Sequence, residues 1–263
     1  MTALHSSNMA GQVGLLAGRA IKHIIRAPAQ VIFPVVFPLV LLAVNTSGLD
    51  AATKLPGFPT TSYLDFALAV PFMQGALFAA LNGGQDLARD IEGGFLDRLA
   101  MTPMSDAALL TGQLGGALFM GFVGAVTYLI VGLLLGVGIA SGVGGALVLL
   151  LLAVSISFAF ACFGMFVALR VGSAQAVQGF FPLFFVMLFL SSAFFPRDLI
   201  QQDWFRTVAT YNPVSYLVEG IRSLVITGWD SGALLPAFGI AAAATVFFLT
   251  LSARALRTRL TRT

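Results

Sequence analysis

One short stretch has the residues of a phosphate-binding site. Residues 81–85 read LNGGQ, which differs at one position from LSGGQ, a signature with which certain ATPases hold a nucleotide phosphate at a helix N-terminus. An ATPase also needs a P-loop, G-x-x-x-x-G-K-[ST], whose lysine reaches the phosphates. The lysines of this chain are Lys22 and Lys54, and neither follows a glycine or precedes a serine or threonine. Any ATP chemistry must therefore come from another chain, and Gly83 and Gly84 are interpreted as the end of a helix.

The sequence offers no other catalytic constellation. Its histidines are His5 and His23, and no metal-ligand cluster and no paired nucleophile and base is recognisable. The single cysteine, Cys162, lies in an apolar run without a partner in the chain and is interpreted as a packing residue. We therefore expect a protein that is not an enzyme, with no catalytic residue, no metal site and no cofactor bound by this chain.

The composition indicates a membrane protein. Of the 263 residues, 58% are hydrophobic and 10% are charged, whereas soluble domains carry about 25% charged residues. A membrane helix needs roughly 20 apolar residues. Five stretches qualify clearly, and a sixth, 177–195, is shorter but rich in phenylalanine. We predict one all-α integral membrane domain over residues 1–263, with six transmembrane helices. The five clear spans are 29–49, 64–84, 113–137, 144–169 and 233–253.

The positive charges predict how the spans are oriented. If both termini are cytoplasmic, the cytoplasmic side holds ten of the 14 lysines and arginines, and the other side holds Lys54, Arg197, Arg206 and Arg222. An excess of lysine and arginine marks the cytoplasmic side, so we expect a multi-pass protein of the cytoplasmic membrane with both termini inside. No basic cluster is interleaved with exposed aromatic residues, so nucleic acid is not expected as a partner.

Charge is concentrated in segment 85–106, between the second and third spans. The segment holds seven of the chain's 25 charged residues and reads as a short helix, a break at Gly93 and Gly94, a second short helix and a Thr-Pro turn. Ile91 and Phe95 begin an apolar face at helical spacing that would meet no lipid. A solvated loop is the alternative, but charges beside an apolar face are typical of a docking surface.

Two stretches resemble a known family. RDIEGGFLDRLAMTPMSDAALLTGQ, residues 89–113, is similar to the signature region of ABC-transporter type-2 permeases, the membrane subunits of drug and polysaccharide exporters. YNPVSYLVEGIRSLVITG, residues 211–228, resembles the Asn-Pro segment before the last span of these permeases. With six spans and 263 residues, the resemblance covers nearly the whole chain. The length and the loop are closer to antibiotic-resistance permeases than to O-antigen permeases.

The resemblance implies an ATP-driven exporter with a separate ATPase. Two permeases, identical or related, would pair in the membrane lipid above two ABC ATPase subunits, which bind ATP and magnesium. Segment 85–106 would be the cytoplasmic coupling loop, whose helix docks in a groove of the ATPase and is moved when the ATPase subunits close. The residues implied in this ATPase coupling are Arg89, Glu92, Phe95, Arg98, Leu99, Thr102 and Pro103.

Residues 11–27 predict an N-terminal interfacial helix. Arg19, Lys22, His23 and Arg26 fall on one arc of a helix, roughly opposite a set of isoleucines. This pattern is typical of a helix lying flat on the cytoplasmic leaflet. The family has such a helix, which can also contact the ATPase.

The outer segment, 196–232, predicts a short helix before the last span. Asn212 can cap this helix and Pro213 suits its first position, while its length of about 15 residues is too short to span a bilayer. Glu219 and Arg222, three residues apart, can pair on one face. The resemblance implies that this outer helix, with Asn212, Pro213, Glu219 and Arg222, closes the outer mouth of a transport path.

The cargo is constrained only by family analogy. An aromatic-lined path would suit a hydrophobic or amphiphilic substrate such as a drug, a lipid or a lipid-linked glycan better than a small ion. The candidate path residues are Phe181, Phe184, Phe185, Gln74 and Asn45.

Two other classes of membrane protein stay open. One is a secondary transporter, which usually carries ionisable residues deep in its spans; none lies deep in a predicted span here. The other is a membrane scaffold without a transport role. An ATPase gene beside this gene would separate the exporter from both alternatives.

Overall fold

The part of the chain that the structure describes is helical. This computed structural model describes residues 28–95 and 106–260, together with residues 11, 14, 17–19, 21 and 22. Within these residues there is no β-strand, which agrees with the predicted all-α class. The long helices are α1 (Pro28–Leu49), α3 (Ala69–Glu92), α4 (Asp106–Leu134), α5 (Gly142–Val171) and α10 (Ser231–Leu260). The short ones are α2 (Tyr63–Ala67), α6 (Ala174–Gly179), α7 (Phe181–Phe189), α8 (Asp203–Tyr211) and α9 (Pro213–Ile226), with 3-10 turns at Asp50–Lys54 and Arg197–Leu199.

Five helical stretches are long and apolar enough to span a bilayer. They are Val31–Lys54, Tyr63–Glu92, Leu110–Leu134, Gly142–Val171 and Ser231–Arg259, and they correspond to the five clear spans predicted from the hydrophobic runs.

The sixth predicted span, 177–195, has a different form. The structure places a shorter apolar stretch, Ala174–Phe189, at this position, divided into α6 and α7. Pro182 lies in the first turn of α7 and cannot donate a backbone hydrogen bond to a preceding helix. At about 1.5 Å per residue the stretch is roughly 24 Å long, against a hydrocarbon core of about 30 Å. The six-span count therefore stays a prediction.

Helix α3 packs closely against α5 because both contribute glycine at the contact. A Cβ on Gly164 of α5 would lie 2.3 Å from the carbonyl oxygen of Ala80, and a Cβ on Gly84 would lie 2.9 Å from the carbonyl oxygen of Gly164. Small residues of this kind allow membrane helices to approach closely. The prediction that Gly83 and Gly84 end a helix is wrong: α3 continues through both to Glu92, because Gly84 serves the packing against α5.

Helix α1 contains two prolines, Pro34 and Pro38, and α4 compensates for the second. Pro38 has no N–H, so the carbonyl oxygen of Pro34, one turn earlier, lacks its helical partner. The hydroxyl of Tyr128, buried in α4, donates to this oxygen at 2.9 Å. An unpaired backbone group is strongly unfavourable inside a bilayer, so Tyr128 both stabilises α1 and fixes it against α4.

The stretch from α6 to residue 194 extends between the two ends of the bundle. The N–H of Ala174 donates to Glu92 at the last turn of α3, whereas the carbonyl oxygen of Phe194 accepts from the hydroxyl of Tyr63, at the start of α2, at 3.0 Å. We call the first region, with Glu92 and the start of α6, the Glu92 end. The second, with α2, α9 and residues 191–194, is the Arg222 end.

Candidate functional site

The charged segment after the second span begins inside a helix. Helix α3 continues to Glu92, and Gly93 and Gly94 then form the predicted break, with a φ of +63° at Gly94. The span Tyr63–Glu92 has 30 residues, which corresponds to roughly 45 Å, against a hydrocarbon core of about 30 Å. The span is therefore longer than the hydrocarbon core, and we expect its charged last turns, in α3, to extend beyond the bilayer. They carry Asp86, Arg89, Asp90 and Glu92.

Asp90 collects polar contacts from two other segments. The guanidinium of Arg19 donates to both carboxylate oxygens, at 3.0 and 2.8 Å, and the amide of Gln113 in α4 donates at 3.2 Å. The same guanidinium lies over the ring of Phe95, 4.0 Å from its centroid. The hydrogen bond to Asp90 raises the pKa of Arg19. The cluster joins the N-terminal segment to α3 and α4, although most of the predicted interfacial helix, including His23 and Arg26, lies outside the described residues.

Glu92 binds within the chain, at the start of α6. Its Oε1 accepts a hydrogen bond from the N–H of Ala174, the first residue of α6, at 3.1 Å. Ser173, which precedes α6, provides no side-chain cap. Glu92 therefore supplies from α3 the acceptor and the negative charge that a helix N-terminus favours.

The other residues predicted to couple to an ATPase have different surroundings. Arg89 forms an i,i+3 ion pair with Asp86 at 3.2 Å, and both side chains are substantially exposed. Ile91, predicted to lie on an exposed apolar face, is instead buried in a cluster with residues of α4 and α5, because α3 keeps its packing up to this turn. Phe95 is half-buried. The remaining coupling residues, Arg98, Leu99, Thr102 and Pro103, lie outside the described residues.

At the Arg222 end, Asn212 joins two helices. Its Oδ1 accepts from the N–H of Val214 at 3.0 Å, and Pro213 occupies the first turn of α9, so the predicted cap is confirmed. Its Nδ2 donates to the carbonyl oxygens of Met187 and Leu190, at 2.7 and 3.1 Å. These carbonyls lie at the C-terminal end of α7, where helical partners are missing.

Arg222 is buried and bonds to backbone rather than to a carboxylate. Its guanidinium donates to the carbonyl oxygens of Phe66, Ser192 and Ala193, at 3.1, 3.0 and 2.9 Å, and it lies 3.5 Å from the centroid of the Phe66 ring. The side chain joins α9 to α2 and to the turn after α7. Burial lowers the pKa of Arg222, and the neighbouring Glu219 acts in the opposite direction.

Glu219 pairs with Arg197 instead of Arg222, so the predicted i,i+3 pair is wrong. Arg197 donates to both of its carboxylate oxygens, one of them at 2.7 Å from Nε, and the hydroxyl of Ser192 donates at 2.6 Å. Arg197 also lies over the ring of Tyr216, 4.2 Å from the centroid. The reason is that Arg222 satisfies carbonyls that have no helical partner, which leaves Glu219 to the arginine of the preceding loop.

Comparison with known proteins decides the family. The profile of the ABC-2 type transporters matches residues 11–226, a range that includes Arg19, Asp90, Glu92 and all of α9. The chain belongs to the ABC-2 type transporter family. It is also 29% identical, over 225 residues, to the daunorubicin resistance ABC transporter permease protein DrrB1 of Streptomyces coeruleorubidus, and the match covers 82% of this chain and 75% of that protein. The resemblance inferred from two sequence stretches is confirmed, and the protein is a multi-pass membrane protein.

In this ABC-2 transporter chain, five phenylalanines form a continuous row. The ring of Phe78 in α3 lies 5.3 Å from that of Phe181, measured between centroids. The next separations, Phe181 to Phe185, Phe185 to Phe189 and Phe189 to Phe194, are 4.8, 6.3 and 5.0 Å. We call these five residues the phenylalanine row. It runs along α7 to the Arg222 end and includes two of the predicted path residues, Phe181 and Phe185.

The other predicted path residues lie elsewhere on the ABC-2 fold. Phe184 contacts α5, with its ring 4.8 Å from that of Phe163. Gln74, one turn before Phe78 on α3, is 1% exposed, and its Oε1 has no hydrogen-bond donor among the described residues. Asn45 is half-buried near the C-terminal end of α1. The structure thus brings Phe181 and Phe185 together and places Phe184 on a different face of α7.

Sequence reasoning missed Asp90 and Arg197 as centres of the two polar clusters. Asp90 lies one turn before Gly93 and Gly94, in the charged end of α3. This position is the one sequence signal that could have indicated its central role in the cluster. Arg197 has its partner on another element, which no local spacing indicates. In the described residues no three His, Cys, Asp or Glu side chains converge to hold a metal ion.

Proposed function

We propose that this chain is the permease subunit of an ATP-driven ABC exporter. It would move a hydrophobic or amphiphilic substrate, namely a drug, a lipid or a lipid-linked glycan, out across the cytoplasmic membrane. The family match over residues 11–226 carries this proposal. The name of the relative, which refers to daunorubicin resistance, favours a drug as the substrate.

The Glu92 end is the proposed docking surface for the separate ATPase. The protruding turns of α3 present Arg89. Phe95 comes next in the chain, with its ring under the guanidinium of Arg19, and the rest of segment 85–106 continues from there. The ATPase binds ATP and magnesium, and this chain binds neither. A displacement of the end of α3 reaches α6 through the contact between Glu92 and Ala174, and it reaches the N-terminal segment through the Arg19–Asp90 pair.

The substrate path is proposed to follow the phenylalanine row. The stretch 174–194 extends between the two ends of the bundle, which supports a sixth, broken crossing and termini on the same, cytoplasmic side. Helix α9 then closes the path on the outer side, held by the contacts of Asn212, Glu219 and Arg222. The exposed apolar face of α1, with Ile32, Phe33 and Val36, faces lipid or a second permease, either a copy of this chain or a related one.

Reconstitution into liposomes tests the proposal. The chain is incorporated with the ATPase that co-purifies with it, and ATP hydrolysis and daunorubicin movement are measured. We expect the chain to raise the hydrolysis rate of the ATPase and daunorubicin to move when ATP is present, and we expect neither from the chain alone. Daunorubicin movement driven by a proton gradient without ATP would identify a secondary transporter. If the hydrolysis rate is the same with and without the chain, the proposal is wrong.

A further inference from the structure

A cavity of about 240 Å³ lies on the opposite side of α7 from the phenylalanine row. Phe160 and Phe163 of α5, Phe184 and Met187 of α7 and Ala241 and Ala244 of α10 line it, and the first turn of α9 completes the lining. The lining residues of α5 and α10 come from the middle of these two spans. The cavity therefore lies near the middle of two helices that are long and apolar enough to cross a bilayer, which corresponds to mid-depth.

The lining excludes a polar ligand. Each of its side chains is apolar, so a charged or hydroxylated group entering the cavity would lose its hydration without gaining a side-chain partner. The lining residue Leu183 of α7 is 54% exposed. Leu183 lies on the face of α7 away from the phenylalanine row, where we expect lipid to surround it, so an apolar molecule can enter from the bilayer.

The volume selects among apolar molecules. An apolar protein cavity of about 150 Å³ holds benzene, so by proportion about 240 Å³ holds about ten carbon atoms. This is the distal half of a phospholipid acyl chain, whereas a system of four fused rings would extend beyond the cavity. A void at this depth would lose dispersion contacts on every lining atom, and acyl chains are the most concentrated apolar groups available to fill it.

The position of the head group follows from the aromatic residues at the Arg222 end. Trp204 and Trp229 are largely exposed there, and exposed tryptophan marks the interface between a membrane and water. A lipid of the leaflet at the Arg222 end therefore has its head group near these residues and its chain end at the depth of the cavity.

We infer that the cavity between α5, α7, α9 and α10 is a binding site for one acyl chain of a phospholipid, separate from the proposed substrate path. The lipid at this site exchanges with lipid of the bilayer, and this exchange needs neither ATP nor an ATPase. Its test is therefore independent of the proposed function.

Quenching of a single tryptophan by lipid tests this inference. Trp204 and Trp229 are replaced by phenylalanine, and Leu183→Trp places the reporter at the rim of the cavity. The chain is purified in detergent micelles free of phospholipid and titrated with phosphatidylcholine brominated near the ends of its acyl chains. We expect a component of quenching that saturates at one lipid per chain. Phe247→Trp, on the exposed face of α10, should report only quenching proportional to the fraction of brominated lipid in the micelle.

Filling the cavity provides the matched comparison. Ala244→Leu should abolish the saturable component, and the smaller Ala244→Val should reduce it if the leucine variant does not fold. Ala243→Leu, on the exposed side of the same helix, should leave it unchanged. The inference is overturned if Leu183→Trp follows the same proportional curve as Phe247→Trp, or if the saturable component persists in folded Ala244→Leu. It is also overturned if rhodamine 6G, a fused-ring aromatic cation, removes that component at one molecule per chain, because the cavity would then bind cargo.

Discussion

The carboxylate of Glu92, in the last turn of α3, accepts a hydrogen bond from the backbone N–H of Ala174 at 3.1 Å, across 82 residues of sequence. This contact holds the start of α6 to the charged end of α3. The phenylalanine row follows on α7, so α6 joins the charged end of α3 to the aromatic residues of α7.

Replacing Glu92 by alanine should loosen α6 while the chain stays folded. Loss of an N-cap acceptor costs about 0.5–2 kcal/mol, which corresponds to roughly 2- to 30-fold faster amide exchange in residues 174–179. Hydrogen exchange with mass spectrometry measures this effect. Glu92→Gln keeps an acceptor oxygen and should retain most of the protection, and Arg89→Ala, which removes an exposed pair, should change nothing. Unchanged exchange in Glu92→Ala would contradict the contact.

The Arg19–Asp90 pair should respond to exchange of its charges. Arg19→Asp places two carboxylates together and should lower the unfolding midpoint in mild detergent, and Asp90→Arg added to it should restore part of the loss. Arg19 is half exposed, 50% against 15% for Asp90, so solvent screening limits the expected coupling energy to about 0.5–1 kcal/mol. A double-mutant cycle on the midpoints measures it. Strictly additive effects would show that the pair contributes nothing.

Removing Arg222 should unfold the Arg222 end. Arg222→Met leaves the carbonyl oxygens of Phe66, Ser192 and Ala193 without their donor, and each buried unsatisfied acceptor costs about 1–3 kcal/mol. We expect loss of the monodisperse peak in fluorescence-detected size-exclusion chromatography. Arg222→Lys, which can reach only part of the carbonyl set, should be intermediate. The control is Arg254→Met on the exposed face of α10, and equal profiles for both methionine variants would contradict the role of Arg222.

Gly164→Ala should weaken the packing of α3 on α5. The added Cβ would meet the carbonyl oxygen of Ala80 at 2.3 Å, and overpacking of this kind costs about 1–3 kcal/mol. Gly239→Ala in α10 adds the same methyl group where no atom lies within 4 Å. It should be neutral or stabilising, because alanine is favoured over glycine in helices by about 0.5–1 kcal/mol. The thermal midpoint of Gly164→Ala should therefore fall, whereas that of Gly239→Ala should stay the same or rise.

The distribution of arginine and lysine predicts which ends face the cytoplasm. In a Cys162→Ala background, single cysteines are placed at Thr258, near the end of α10, and at Gln202, before α8; both positions are exposed. In sealed inside-out vesicles an impermeant thiol reagent should label position 258 and not position 202. The reverse pattern, or equal labelling, would contradict the prediction that both termini are cytoplasmic and that the number of crossings is even.

Local patterns predicted the elements that depend on local chemistry. The five long spans follow from uninterrupted apolar runs, and the start of α9 follows from Asn212 and Pro213, because a cap and a first-turn proline act within a few residues. Gly83 and Gly84 were misinterpreted because a glycine pair has two uses, to end a helix or to permit close packing. The partner helix α5, which decides between them, lies about 80 residues away in the chain.

The polar contacts of the candidate site could not be read from spacing. Glu219 and Arg222 have the separation of a helix pair, yet the unpaired carbonyls of residues 66, 192 and 193 bind the guanidinium more completely than one carboxylate could. The same holds for Asp90, whose partners Arg19 and Gln113 come from two other segments. Such contacts depend on which backbone groups the tertiary fold leaves without partners, and that is a property of the assembled bundle.

Asn212 has one further consequence. Its Nδ2 donates to the carbonyl oxygens of Met187 and Leu190 at the end of α7, and its Oδ1 accepts from the N–H of Val214 in the first turn of α9. A single planar side chain therefore fixes the angle between the two helices. A rotation of α9 that opened the Arg222 end would tilt α7 with it, and the phenylalanine row would turn as part of the same rigid unit. The outer closure and the aromatic lining of the proposed path would therefore move together, coupled through one residue.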